Sequence, residues 1–361
     1  MVRDVLKRSD ATAAGSNGTP TTDLTASGRK AAAPRERDPQ IDDLPPTTPY
    51  EVVHQSGLLR LRHYRPAAGG SPAPPILLVY SLIKRPYILD LLKERSVVGS
   101  LLHAGYSVYL TDWLPPGPSD ADRGLQAYVD QDLAGAVDCI CSRERTDRVT
   151  LIGPCFGGLL AVIYAALYPT TVQHLVPLAT PFRMRPMLLP GAIQYLVNLY
   201  GNVPAWFIRG TLNASSPSRM NLSVYMAQDF GQEGEGTDES DALTTECALE
   251  HWMKSDVPVA GRLFREIMED AYQHAQLAEG RLRVGGRRVA LERIECPLLN
   301  VAGERDQLAP PGNTGGLVDA VGSREASNLV FPVGHIGLMV SRAAHERLWP
   351  RICAWLRSTG P

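Results

Sequence analysis

The chain has 361 residues, 44% of them apolar and 20% charged, with a formal net charge of -2. That length holds one large α/β domain or two small ones with a sizeable core, and the absence of a broad basic field excludes nucleic acid as an expected partner. The six cysteines, Cys139, Cys141, Cys155, Cys247, Cys296 and Cys353, make no paired C-x-x-C framework, which excludes a secreted disulfide scaffold and a zinc site from the expectations.

Residues 1–49 contain no aromatic side chain and are rich in Ala, Thr, Ser, Gly, Pro and mixed charges. Such a composition buries too little apolar surface to offset ordering, so a disordered tail is expected. The opening MVRDVLKRSD has no apolar stretch behind its basic residues, so no secretory signal is expected and the protein is expected in the cytoplasm. Residues 50–64 alternate apolar and polar as an edge hairpin does, and a Pro/Gly/Ser-rich link follows over 66–75. ILLVY at 76–80 is a continuous apolar run of the kind buried on both faces of a parallel sheet, and 87–102 reads as a helix. A strand at 106–111, a helix over 125–143 and strands at 149–153 and 175–179 continue the alternation. The pattern predicts a doubly wound, mostly parallel sheet beginning in 50–181.

Past Pro181 the alternation stops. Residues 182–280 carry helix-like pieces, an acidic loop at 229–241 and the longest uncharged run, 186–208, but no evident buried strand, so an inserted helical cap or lid is expected. The uncharged run is long enough to span a bilayer. Pro190, Gly191, Asn198, Gly201, Asn202 and Pro204 interrupt it, which favours a cap element over a transmembrane helix. Strands at 297–302 and 328–331 and a closing helix over 343–356 complete the core in 281–361.

The candidate site begins in VTLIGPCFGG at 149–158, where Gly153, Cys155 and Gly157 hold the G-x-S-x-G positions of a nucleophile elbow and Gly158 extends the pattern. A nucleophile in a sharp strand-to-helix turn needs neighbours without side chains, because the helix folds back over the strand. Such a turn aims the sulfur into a pocket and puts the Phe156 N–H where an oxyanion can use it. A free buried cysteine beside a glycine-rich turn fits the same five residues. Asp306 follows the strand LLNVA in the loop GERDQLAPP, and His335 follows LVFP in VGHIG. Nucleophile, acid, histidine is the chain order of an α/β-hydrolase triad. Taken alone, Asp306 fits a turn cap and His335 a structural turn histidine; together, three residues at three strand ends argue for one site. Asp90, Asp112 and Asp256 read as structural carboxylates that satisfy backbone N–H groups near strand ends.

With these residues in place, the chain resembles the poly(3-hydroxyalkanoate) synthases, most of all the short catalytic subunits of the two-subunit class. The resemblance runs from about Tyr50 to the C-terminus. It rests on RPYILDL at 85–91, VYLTDW at 108–113, GPCFGG at 153–158, YGNVPAWF at 200–207, WMKSDVPVAGRLFRE at 252–266, DQLAPP at 306–311 and GHIG at 334–337. It implies an α/β-hydrolase fold with a helical cap, and an acyltransferase that polymerises 3-hydroxyacyl-CoA and releases coenzyme A. Cys155 would be the acylated nucleophile, His335 the general base and Asp306 its orienting partner. A backbone N–H near Ile83 would join that of Phe156 as the second oxyanion donor. Exchange of one thioester for another is nearly neutral in free energy and keeps the acyl group reactive, whereas serine would trap it as an ester.

The coenzyme A thioester is the substrate, and no cofactor or metal is expected. The resemblance further implies the growing polyester chain, a second synthase subunit and other copies of this chain as partners, at the surface of cytoplasmic polyester granules. The second subunit is expected in place of the N-terminal domain that long one-chain synthases carry. Three positions depart from the family pattern: Lys84 for asparagine in N-R-P-Y, Gln307 for histidine after the aspartate, and Ala275 for asparagine after the Tyr-Gln of AYQHAQL. They leave the triad intact and bear on the substrate channel. A thioesterase or polyester depolymerase would use the same triad, but hydrolases of this fold mostly use serine. A granule scaffold with an idle site would give the elbow strain no use.

Overall fold

Residues 47–66, 73–183, 191–215 and 239–359 are described by the computed structural model. Eight strands make one sheet: β1 (Glu51–Ser56), β2 (Leu59–Tyr64), β3 (Ile76–Leu78), β4 (Val108–Trp113), β5 (Val149–Pro154), β6 (Val172–Leu178), β7 (Leu298–Gly303) and β8 (Ala326–Phe331). Their order is β1-β2-β4-β3-β5-β6-β7-β8. The hairpin β1–β2 runs antiparallel and joins β4 antiparallel; every pairing from β4 to β8 is parallel.

Strands β3, β4, β5 and β7 are buried at every residue, as mostly apolar strands covered on both faces should be. Side chains alternate between the faces. Along β3, Ile76 and Leu78 enter one apolar core while Leu77 and Val79 enter the other. The first core is covered by α1 (Val97–His103) and the closing helix Trp349–Ser358, the second by α2 (Ala134–Glu144) and α3 (Phe156–Leu167).

The helix expected over 87–102 is absent as such. A 3-10 turn, Pro86–Leu89, leads into a small hairpin of Asp90–Leu92 against Arg95–Ser96, and only then does α1 begin. The cause is polar: the Asp90 carboxylate accepts from Ser96 Oγ at 2.6 Å, and Ser96 Oγ accepts from Gly99 N at 2.7 Å, which makes Ser96 the cap that starts the helix. Asp90 also accepts from the N–H and hydroxyl of Thr48, both at 2.8 Å, and Thr47 donates to the Leu91 carbonyl. Residues 1–46 of the expected tail lie outside the described residues; Thr47 and Thr48, placed in that tail by composition, are fastened to this hairpin.

The cap stands between β6 and β7. It contains α4 (Ala192–Tyr200), α5 (Ala205–Ser215), α6 (Glu239–Met253) and α7 (Gly261–Arg265), the last running into a π-helical stretch, Glu266–Gln273. Of the expected acidic loop, residues 229–238 lie outside the described residues and 239–241 open α6. Among the described residues, no helix is long and apolar enough to cross a membrane, and no cluster of three or more side chains could hold a metal ion.

Asp90 meets a backbone N–H as expected, but Asp112 and Asp256 take cations instead. Asp112, wholly buried, pairs with Arg62 at 2.7 Å and lies 3.5 Å from Arg85. Burial works against its charge, yet Arg62, Arg85 and Arg60 outweigh that and hold the carboxyl below the usual carboxylate range.

Candidate active site

At the end of β5 the chain turns sharply. Cys155, with φ 51° and ψ -125°, is the residue from which α3 starts, in a region that costs a residue bearing a side chain about 1–3 kcal/mol. Its own N–H donates to the Leu178 carbonyl at 2.8 Å, so the neighbouring strand end fixes the turn. The next N–H, of Phe156, heads α3, where first-turn donors have no partner within the helix. Two glycines make this approach possible. A Cβ on Gly153 would strike the backbone of Gly157 and Gly158, and one on Gly157 would strike the Val79 carbonyl oxygen. The elbow is therefore pressed against the chain leaving β3. There the Tyr80 N–H donates to Thr111 Oγ1 at 2.8 Å and the Tyr80 carbonyl accepts from Trp113 Nε1 at 3.0 Å, and the β3 ladder ends.

The other two expected residues meet beyond β7 and β8. Asp306 Oδ1 accepts from the N–H groups of Leu308 and Ala309, each at 2.8 Å. Its Oδ2 accepts from His335 Nδ1 at 2.7 Å. The aspartate is thus a turn cap and an orienting partner at once. With Nδ1 so held, the other side of the ring serves Cys155, a hydrogen-bond partner of the imidazole. Burial pulls the His335 pKa down, but the Asp306 carboxylate and the contact with Cys155 outweigh it and hold it well above the ordinary value. Asp306 and His335 are buried, while Cys155 is half-buried.

Two buried tyrosines interact electrostatically with Cys155. Burial pushes the phenols of Tyr80 and Tyr272 well above their ordinary pKa, with Cys155 adding to the effect. Tyr272 belongs to the π-helical stretch of the cap, and its ring lies 6.5 Å from that of Phe156. Its hydroxyl donates to the Pro181 carbonyl at 3.0 Å, which leaves the ring as a wall of the site. The uncharged run 186–208 also belongs to the cap. Residues 186–190 lie outside the described residues. The remainder turns Ile193, Val203 and Ile208 inward and leaves Tyr195, Leu199, Tyr200 and Trp206 exposed. It packs on α7 through Gly201 and Gly261, and on the loop after β4 through Asn202 Nδ2, which donates to the Gly117 carbonyl at 2.8 Å.

Ile83, three residues beyond Tyr80, is half-buried, and its carbonyl accepts from Val257 N at 3.1 Å. Of the departures, Gln307 is exposed, Ala275 has φ 50°, and Lys84 is buried in an ion pair with Asp256. Tyr272 and Trp252 were not singled out from the sequence. Both lie in or beside quoted motifs, but an aromatic residue on a cap helix carries no spacing that marks it.

A mostly parallel sheet with a strained strand-to-helix turn, followed in chain order by an aspartate and a histidine at later strand ends, defines the α/β-hydrolase fold. Residues 74–341 match the family model described as alpha/beta hydrolase fold, and 38–101 match the N-terminus of poly-beta-hydroxybutyrate polymerase (PhaC). The chain belongs to the PhaC family of poly(3-hydroxyalkanoate) polymerases, within the α/β-hydrolase superfamily. The poly(3-hydroxyalkanoate) polymerase subunit PhaC of Haloferax mediterranei is 36% identical over 317 residues, covering 85% of this chain but only 63% of that protein. The subunit of the same name from Thiocystis violacea is 32% identical over 317 residues, covering 86% of this chain and 88% of its own. A thermophilic esterase from Thermogutta terrifontis shares the fold, with a TM-score of 0.53 at 18% identity over 84% of this chain and 95% of that one.

Proposed function

We propose that the protein polymerises 3-hydroxyacyl-CoA into poly(3-hydroxyalkanoate), releasing coenzyme A, through an acyl thioester on Cys155. The observation that carries this reading is the Cys155, His335 and Asp306 arrangement in a member of that polymerase family. In the first step the Cys155 sulfur attacks the thioester carbonyl and its proton passes to His335 Nε2. Negative charge on the carbonyl oxygen falls to the N–H of Phe156 and to one near Ile83. Collapse breaks the bond to coenzyme A, and His335 returns the proton to the departing thiolate.

In the second step the 3-hydroxyl of one acyl unit attacks another acyl-thioester. His335 takes the hydroxyl proton as the ester bond forms, and hands it to the thiolate that leaves. The Asp306 carboxylate on Nδ1 stabilises the imidazolium that exists between these transfers. The scheme uses no metal or bound cofactor. A second synthase subunit belongs to the same reading, supported by the naming of the relatives as subunits; self-association and a place at the surface of cytoplasmic polyester granules complete it.

The test is incubation of the purified protein with 3-hydroxybutyryl-CoA, following thiol release and precipitable polymer, with and without the second subunit. Thiol release without polymer would make the protein a thioesterase, and full specific activity from the chain alone would remove the second subunit from the reading.

A further inference from the structure

Three consecutive residues after β3 are fastened to the cap, one after another. The Ile83 carbonyl takes Val257 N at 3.1 Å. Lys84 and Asp256 form an isolated antiparallel bridge, Lys84 Nζ lies 2.7 Å from Asp256 Oδ1, and the ammonium also donates to the Met253 carbonyl. The Arg85 carbonyl takes Trp252 Nε1 at 2.9 Å, and the Trp252 ring lies 5.1 Å from the ammonium. The side chains of Lys84 and Asp256 are only 6% and 7% exposed.

A buried ion pair is weak evidence for stability, because removing both charges from water offsets most of their attraction. Lys84 shows that opposition: burial holds its pKa below the ordinary lysine value against the pull of Asp256. What such a pair does supply is geometry. A charge pair permits one arrangement of two segments where apolar contacts would permit several, and here one of the segments carries the expected second oxyanion donor. The first donor, on Phe156, is fixed by the elbow itself. The loop at Ile83 lies beyond the sheet, since β3 ends at Leu78, and is held by its short backbone bridge to the cap and by this ion pair.

We infer that the Lys84–Asp256 ion pair is a positioning device that holds the Ile83 N–H against the oxyanion of the reaction. The inference rests on the acyl-transfer reading in taking Ile83 as a donor. It also gives the lysine at this departure from the family pattern a task, and places the counter-charge on the cap, so that cap and oxyanion site are set together.

Two reactions of Cys155 separate the oxyanion site from the nucleophile. Acylation by p-nitrophenyl butyrate develops an oxyanion; alkylation by iodoacetamide does not. In the purified full-length protein, Lys84→Met and Asp256→Asn should each slow acylation about tenfold to a hundredfold, part of the roughly hundredfold to thousandfold loss caused by removing a whole donor. Alkylation should stay within about twofold of wild type on the same scale. Lys84→Arg, which keeps the charge pair, should recover most of the acylation rate. Unchanged acylation in both variants, or equal loss of acylation and alkylation, would overturn the inference. If Lys84→Met does not fold, Asp256→Asn decides the matter by the same comparison. The ester reads the oxyanion site whatever the natural acyl donor is, so a wild-type protein acylated by the ester but inert to 3-hydroxybutyryl-CoA would sink the polymerase reading and leave this one standing.

Discussion

Asp306 reaches His335 through Oδ2 alone, at 2.7 Å, because its Oδ1 is already held by the N–H groups of Leu308 and Ala309. The carboxylate is therefore fixed before the imidazole meets it. Asp306→Asn should keep the turn, since the amide oxygen can replace Oδ1, but would present an N–H to His335 Nδ1 and force the proton onto Nε2. A ring in that tautomer cannot take a proton from the incoming hydroxyl. Turnover should fall about a thousandfold or more by analogy with such a substitution in a serine triad, while some acylation of Cys155 survives. His335→Gln should suppress both. Intact-protein mass spectrometry of the acyl-enzyme distinguishes them, and complete loss of acylation in Asp306→Asn would contradict the assigned role.

Cys155→Ala should abolish coenzyme A release with the fold retained. The backbone gives a second expectation. At φ 51° a residue without Cβ is favoured, so Cys155→Gly should be more stable than Cys155→Ala by about 1 kcal/mol in urea unfolding. Equal stabilities would mean that the elbow carries no strain.

Ala275 ends the π-helical stretch of the cap with φ 50°, a conformation in which asparagine and glycine are at ease and alanine is not. Ala275→Asn should raise stability by about 0.5–1 kcal/mol. A thermal melt checks it, and a loss of stability would show that the surroundings, rather than φ, set the residue.

Asp132 lies buried under the β1–β2 turn, where it accepts from Leu58 N at 3.4 Å and pairs with Arg123 at 2.5 Å. Burial lifts its pKa to about 6 against the pull of Arg123. A carboxyl raised in the folded state stabilises most while protonated, below its unfolded pKa near 4, and that contribution is lost as pH rises through about 6. Asp132→Asn escapes the loss. Its stability relative to wild type should therefore increase between about pH 4 and about pH 7, by on the order of 2 kcal/mol. Urea unfolding at the two pH values reads the difference, and a constant gap would refute it.

The sheet was legible because strands buried on both faces are largely apolar runs, as at Ile76–Leu78 and Leu298–Gly303. Cys155 and Asp306 were legible because each follows such a strand, and His335 because it follows the short apolar run LVF at the end of the edge strand β8. The helix expected over 87–102 failed on a contact local pattern cannot show: Asp90 is claimed by Ser96 and by Thr48, the latter across 42 residues. For the run 186–208, lack of charge says that a segment is apolar but not which way each side chain faces, and Tyr195, Leu199 and Trp206 turn outward. Asp256 drew its partners from Lys84 and Arg209, distant in sequence and brought together only by the cap.

The cap interrupts the sheet between β6 and β7, which pair at Leu175 with Leu298 and at Leu178 with Val301. During synthesis the strand bearing Cys155 is finished long before the strands that lead to Asp306 and His335. Closing β6 onto β7 is a long-range pairing, late in folding, and until it happens β6 is an open edge. The sulfur thus acquires its base at the step that completes the sheet, and a chain cut short within the cap would carry the elbow with an unassisted thiol.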